Sequence, residues 1–183
     1  MKERPILFNG EMVRAILEGR KTQTRRIVKN QPCGGWAFDG VYGKITSPHP
    51  QRGKFGAFLR RGVGTSWPEL GILPCPFGQQ GDRLWVRETS IITPKHHLNI
   101  PDDFSIKDAD GDPRWVQYLA TEPDISGALE CCLKITPSIH MPRWASRITL
   151  EITGIRVERL NEISNLDCFA EGLPSDTTKG NRT

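Results

Sequence analysis

Hydrophobic and polar residues alternate most regularly near the end of the chain. Ile148, Leu150 and Ile152 alternate with Thr149, Glu151 and Thr153, the period of two carried by a strand with one wet face. The pattern predicts a strand over 146–160. After Gly154 the apolar positions move to Ile155 and Val157. A one-residue change of phase at a glycine predicts a β-bulge, and with it the coiled strand that a small closed barrel needs. At the start of the chain, Ile6-Leu7-Phe8 reads as a short strand. Met12, Val13, Ile16 and Leu17 then recur on one face of a helix over 11–18, which Gly19 ends. Residues 22–28, rich in Thr, Ile and Val, read as a strand leaving that turn. Further strands are predicted over 83–92, behind the Gly81-Asp82 turn, and over 114–120 and 129–135. Ser164, with Asp167 three positions on, predicts the N-cap of a short helix that runs through Glu171 to Gly172. Pro174 cannot continue it.

Between these elements the pattern breaks down. Residues 31–81 hold 11 of the 18 glycines and six prolines, a content that on its own suggests disorder. The same stretch carries Trp36, Phe38, Tyr42, Phe55, Phe58, Trp67 and Phe77, and disordered segments are poor in aromatics. It reads as a long insertion of hairpins and loops pinned by aromatic rings. Residues 93–145 are loop-rich again. Residues 175–183 contain no apolar side chain, so they have nothing to bury and are expected to be mobile.

Length and composition narrow the class. A chain of 183 residues fits one domain, and its 37% hydrophobic and 25% charged content is that of an ordinary globular protein. No apolar run approaches the ~20 residues of a membrane-spanning helix. The first residues lack a secretory-signal pattern. Lys plus Arg exceeds Asp plus Glu by 25 to 21, a net charge of +4, which permits an anionic partner without requiring one. Cys33, Cys75, Cys131, Cys132 and Cys168 are odd in number and contain no Cys-x-x-Cys. That spacing suits neither a disulfide framework nor zinc and predicts a reducing, cytoplasmic compartment. His49, His96, His97 and His140 lack metal-ligand spacing and read as solvated loop residues, so no metal and no cofactor are expected.

Three segments carry candidate chemistry. In Gly19-Arg20-Lys21-Thr22-Gln23-Thr24-Arg25-Arg26, four cations and two hydroxyls crowd one turn. Such a cluster suits an anion or a polar base edge, and it equally suits a solvated strand end. In Gly81-Asp82-Arg83-Leu84-Trp85-Val86-Arg87-Glu88, Arg87 and Glu88 are candidates for a site, or for the wet face of a strand. The third is the 164–172 helix. There Glu171 sits in the last turn, where the helix dipole disfavours a carboxylate.

Taken in order, these segments resemble the ASCH domain, of the PUA-like β-barrel superfamily, and within it the phage and prophage members. Gly19 to Arg26 is similar to that family's Gly-x-Lys-Thr-x-Thr/Glu-x-Arg motif. Gly81-Asp82-Arg83-Leu84-Trp85-Val86 is similar to its Gly-Asp-x-Leu-x-Val, and the strand from Ser146 followed by the Ala170-Glu171 helix to its late strand-then-helix element. The resemblance implies an α+β, mainly β fold: one ASCH/PUA-like barrel over 1–183, short flanking helices, and loop-rich insertions at 31–80 and 93–145. It implies RNA or a modified nucleoside as partner. Compact bacterial members are amidohydrolases that deacetylate the exocyclic amine of acetylated cytidine, and their catalytic set falls here on Lys21, Thr24 and Glu171. Arg20, Thr22, Arg25, Arg26, Arg87 and Glu88 would then contact the ligand. Thr24 would attack, Lys21 would act as its base, and Glu171 would carry a proton to the leaving amine. Family members continue into a final aromatic-rich strand, so a shortened barrel with an open edge, prone to self-association, is expected here. Three readings follow: a module binding RNA or a modified nucleoside, an amidohydrolase, and a phage accessory or assembly protein that uses the barrel as scaffold.

Overall fold

The computed structural model of the chain describes residues 1–29, 31–46, 48–62, 69–94, 106–126 and 133–174. Its contacts divide it into two compact units. The first takes Met1–Arg4, Arg26–Leu84 and Leu150–Ile163, and the second Pro5–Arg25, Trp85–Thr149 and Ser164–Thr183. The described chain is mainly β. Its strands are β1 (Glu3–Leu7), β2 (Ala37–Lys44), β3 (Phe55–Arg61), β4 (Glu69–Pro74), β5 (Arg83–Arg87), β6 (Ser90–Pro94), β7 (Ile106–Lys107), β8 (Pro113–Tyr118), β9 (Ile135–Thr136) and β10 (Thr149–Glu151). Helix α1 spans Gly10–Leu17 and α2 spans Asn165–Ala170.

The strands fall into three sheets, ordered β1-β5-β10, β2-β3-β4 and β7-β8-β6-β9. Among the described residues none of these closes on itself, so the small barrel expected from the coiled late strand is not formed by them. The predicted 83–92 strand is two strands. It breaks at Glu88-Thr89, where the Glu88 N–H turns to the Met141 Sδ at 3.2 Å, and the chain passes from one sheet to another. The predicted 146–160 strand is also short. Val86 N bonds Ile148 O and Ile152 N bonds Asp82 O, both at 2.9 Å, and pairing stops there. Gly154 therefore lies beyond the strand's end, and there is no bulge at it. Residues 22–28 form no strand, because their first two N–H groups are taken by a helix end. Of the predicted 129–135 strand, residues 129–132 lie outside the described residues, as do Trp67, His96, His97 and the polar stretch 175–183.

In the first unit the aromatic-pinned insertion takes the form of an antiparallel meander, β2-β3-β4. Its register pairs Lys44 with Phe55, Tyr42 with Ala57 and Phe58 with Ile72. Trp36 lies against Gly71 and under the Arg61 guanidinium, 5.3 Å from the ring centre. Phe38 and Tyr42 meet edge to face at 5.6 Å. These rings supply the apolar contact that a glycine-rich meander lacks. In the second unit, Val116, Tyr118, Met141 and Ala145 form a buried cluster, with Ile92, Ile106 and Trp144 packed on it. Cys33, Cys75 and Cys168 are free thiols. No described helix is long and apolar enough to cross a membrane.

Two aspartates tie loops down. In the first unit, buried Asp82 accepts from Lys2 N at 2.8 Å and Gln79 N at 3.2 Å. In the second, Asp108 accepts from Arg114 Nε at 2.7 Å and from the N–H groups of Asp110 and Asp112. The Lys2 N–H holds the Asp82 carboxyl below the usual range, and the Arg114 guanidinium does the same for Asp108. A depressed native pKa stabilises the fold above the unfolded value of about 3.9 and ceases to do so as pH falls through the native value. Denaturation midpoints are therefore expected to be level above about pH 5 and to fall below about pH 4. Asp82→Asn should lower the plateau and make that fall shallower; an unchanged acid limb in both Asp82→Asn and Asp108→Asn would show that these carboxylates do not set it.

Candidate functional site

The Gly19–Arg26 segment is shaped by the helix before it. Asn9 caps α1, its Oδ1 accepting from Met12 N at 2.8 Å. Val13 and Ala15 are buried while Leu17 is half exposed, so the buried face is offset from the one the apolar spacing predicts. Gly19 (φ +73°) ends the helix. The N–H groups of Arg20 and Lys21 then both bond Ala15 O at 2.9 Å. This turn fixes the Lys21 Cα and leaves the next residues running past α2.

Helix α2 begins with a reciprocal cap. Asp167 N donates to Ser164 Oγ, and Ser164 N donates to Asp167 Oδ2 at 3.0 Å, as the Ser164–Asp167 spacing predicts. Its other end is closed by the basic segment. Thr22 N and Gln23 N donate to Ala170 O at 2.8 and 3.0 Å. Gln23 Nε2 donates to Asp167 O at 2.9 Å, and Arg20 Nη1 to Gly172 O at 2.7 Å. Helix carbonyls left over at a C-terminus need such donors, and cations there are favoured by the dipole.

Lys21 is the centre of the arrangement. Its side chain is 2% exposed. Nζ donates to Gln23 O at 2.8 Å, Glu171 O at 2.9 Å and Glu171 Oε2 at 3.0 Å, which uses all three ammonium protons. The Phe8 ring lies 5.7 Å from it. Arg25 lies 3.2 Å from Asp167 Oδ1 and 3.8 Å from Glu171 Oε1. Two side-chain atoms of the expected catalytic set have no hydrogen-bond partner although they are buried, Thr24 Oγ1 and Glu171 Oε1. Of the expected catalytic residues, Lys21 and Glu171 are thus in direct contact. Thr24 lies three residues along the same segment with its hydroxyl unspent.

The expected ligand contacts divide. Arg20 is exposed and pairs with Glu18. The Thr22 side chain is exposed, and so is Arg26. Arg87 donates to Met141 O at 3.1 Å and lies over the Trp85 ring. Glu88 is not joined to Arg87. It is 1% exposed and takes a two-pronged pair from Arg147, with Nε–Oε1 and Nη2–Oε2 both 2.9 Å. Arg147 in turn lies 4.0 Å from the centre of the Tyr118 ring. Arg147 carries no local signal in the sequence that links it to Glu88, 59 positions away. Gln23 and Asp167 are further members that the motif alone does not assign; the capping pattern names Asp167, but as a helix start. Among the described residues no three His, Cys, Asp or Glu side chains gather as a metal group requires.

No family model matches the sequence, and neither a curated protein nor a solved structure matches it.

Two outcomes test this geometry. Gly172 has φ +92°, and a Cβ on it would stand 2.8 Å from Ala15 Cβ and 3.1 Å from Lys21 Cβ. Gly172→Ala should cost about 2–4 kcal/mol from strain plus overlap. Gly19→Ala, left-handed but with nothing within 4 Å, should cost only about 1–2 kcal/mol. Equal losses in urea denaturation would refute the close approach at Gly172. For the second pair, Arg147→Ala should cost about 3–5 kcal/mol, because it strands a buried carboxylate, and Glu88→Leu with Arg147→Met should recover most of that. A loss under about 1 kcal/mol, the size of an exposed pair, would contradict it.

Proposed function

We propose that the Lys21–Glu171 site binds a modified nucleoside and, with Thr24, hydrolyses an amide on its exocyclic amine, as the ASCH-type amidohydrolases do. A PUA-like identity for the β-rich fold and a cytoplasmic location belong to the same reading. One arrangement carries it: a buried Lys21 ammonium 3.0 Å from Glu171 Oε2, with Thr24 Oγ1 and Glu171 Oε1 both buried and unbonded. Buried polar atoms without partners are uncommon, and they gather where a substrate completes them.

The hydrogen bonds favour particular roles. An ammonium that donates to three oxygens holds no lone pair, so Lys21 is not the base in this arrangement. Glu171 Oε1, 3.8 Å from Arg25 Nη1, accepts no hydrogen bond and is the acceptor left for a proton. Thr24 Oγ1 attacks the amide carbonyl carbon as its proton passes to Glu171. The oxyanion that forms is stabilised by the neighbouring cations, Lys21 and Arg25. The C–N bond then breaks, and Glu171 returns the proton to the departing amine. Water, activated by Glu171, releases the acid from Thr24 and restores the site.

A second reading, binding without turnover, draws on a different observation. The Trp85 ring lies 5.3 Å from the Arg87 guanidinium and 5.8 Å from that of Arg143, a combination that suits single-stranded RNA. Against a polyanion, Arg20, Lys21 and Arg25 already face acceptors within the chain.

Incubation with acetylated cytidine is expected to release acetate and cytidine. Thr24→Val keeps the shape and should lower turnover at least about a hundredfold while the protein stays folded. Lys21→Met should abolish it. Turnover retained in Thr24→Val would remove the nucleophile. No turnover in the unaltered chain, together with RNA affinity that falls steeply with salt, would favour the binding reading.

A further inference from the structure

The first unit contains a cavity of about 450 Å³ lined by Tyr42, Lys44, Phe55, Gln79, Gln80 and Ile155. Its size lies within the ~300–1,000 Å³ of small-molecule sites. The meander builds one wall. Tyr42 and Lys44 are two residues apart on β2 and share a face, and Phe55 on β3 pairs with Lys44 in register. Gln79 and Gln80 come from the turn that Asp82 secures through the Gln79 N–H. Ile155 comes from the segment beyond β10.

The polar groups of this cavity are unspent. The Tyr42 hydroxyl is buried and has no partner. The side chains of Lys44, Gln79 and Gln80 make no hydrogen bond or ion pair among the described residues. Burial, with Cys75 and Glu158 nearby, pushes the Tyr42 phenol up, so it stays a donor at neutral pH. Of these only the Tyr42 hydroxyl is buried, and it needs an occupant that accepts from it, while Lys44, Gln79 and Gln80 are exposed to solvent and free to meet a ligand.

Each wall selects a feature of that occupant. Phe55, the Tyr42 ring and Ile155 offer flat apolar surface to a planar ring. The two glutamine amides each present a donor and an acceptor, the pattern that reads the edge of a heterocyclic base. Lys44 supplies one exposed cation, which suits a phosphate as a point charge. We infer that this cavity binds a mononucleotide, its base against the Tyr42 and Phe55 rings with an acceptor on the Tyr42 hydroxyl, its edge on Gln79 and Gln80, and its phosphate on Lys44. The site uses none of the residues of the Lys21–Glu171 site and stands whether or not that site is catalytic.

The four ribonucleoside 5′-monophosphates and the matching nucleosides are the probes, titrated onto the full chain by calorimetry and by ligand-observed NMR. At least one monophosphate should bind saturably. Lys44→Ala should weaken it about tenfold and leave the nucleoside unchanged, since one charge-assisted contact is lost. Tyr42→Phe should weaken both several-fold, and the thermal midpoint without ligand should not fall, because the hydroxyl has no partner to lose. A lowered midpoint in unliganded Tyr42→Phe, or binding that neither variant affects, would overturn the assignment. So would the absence of saturable binding at millimolar monophosphate. A single-stranded RNA that binds more tightly than any monophosphate, with the same dependence on Tyr42 and Lys44, would overturn it in favour of a nucleic-acid groove.

Discussion

A buried ammonium must spend every proton it carries. Lys21 is sealed from water, and an unpaired charge there would be prohibitively costly. One acceptor, Gln23 O, is local. The other two, Glu171 O and Oε2, come from 150 positions away. Burying Lys21 therefore requires the end of α1, the basic segment and the end of α2 to come together at once. The segment gives up its strand as a result: Thr22 and Gln23 bond a helix carbonyl instead of a sheet neighbour.

The same contacts give this segment two kinds of work. Toward the helix it is a cap, with donors from Arg20, Lys21, Thr22 and Gln23 on the last carbonyls of α2. Toward the carboxylates it supplies a shared cation, since Asp167 and Glu171 both face Arg25. Asp167 serves both ends of a six-residue helix, capping its start through Ser164 and holding Gln23 and Arg25 near its finish. What the cap leaves without a hydrogen bond, Thr24 Oγ1 and Glu171 Oε1, are the atoms on which the proposed chemistry rests. A rigid frame around a few unsatisfied atoms is what precise positioning of a substrate needs.

Elsewhere in the second unit a different buried charge organises the chain. Glu88 sits where β5 ends and β6 begins, and its pair with Arg147 occupies the space at which the strand changes sheets. Charged residues on a strand usually lie on its wet face, so Glu88 reads from sequence as a surface or ligand residue. Its burial follows from Arg147 and Tyr118 surrounding it, partners that no local pattern links to it.

By itself the sequence determined what depends on near neighbours. The Ser164–Asp167 cap, the Gly19 stop and helix α1 follow from spacings of a few residues, where side chain and backbone meet within one turn, and the aromatic-pinned hairpins follow from local composition. Lys21 and Glu171 were legible as a pair only through the ASCH resemblance; their contact is long-range, and residue spacing carries no trace of it. The tertiary structure alone decided where strands stop. Residues 22–28 and 155–160 have strand-like composition, yet a strand exists only if a neighbour offers its edge. For the first stretch a helix end took the opening N–H groups; beyond Ile152 the pairing with the Gly81–Asp82 turn ran out. The alternation of side chains sets which face a strand would bury, and only the arrival of a partner decides whether there is a strand at all.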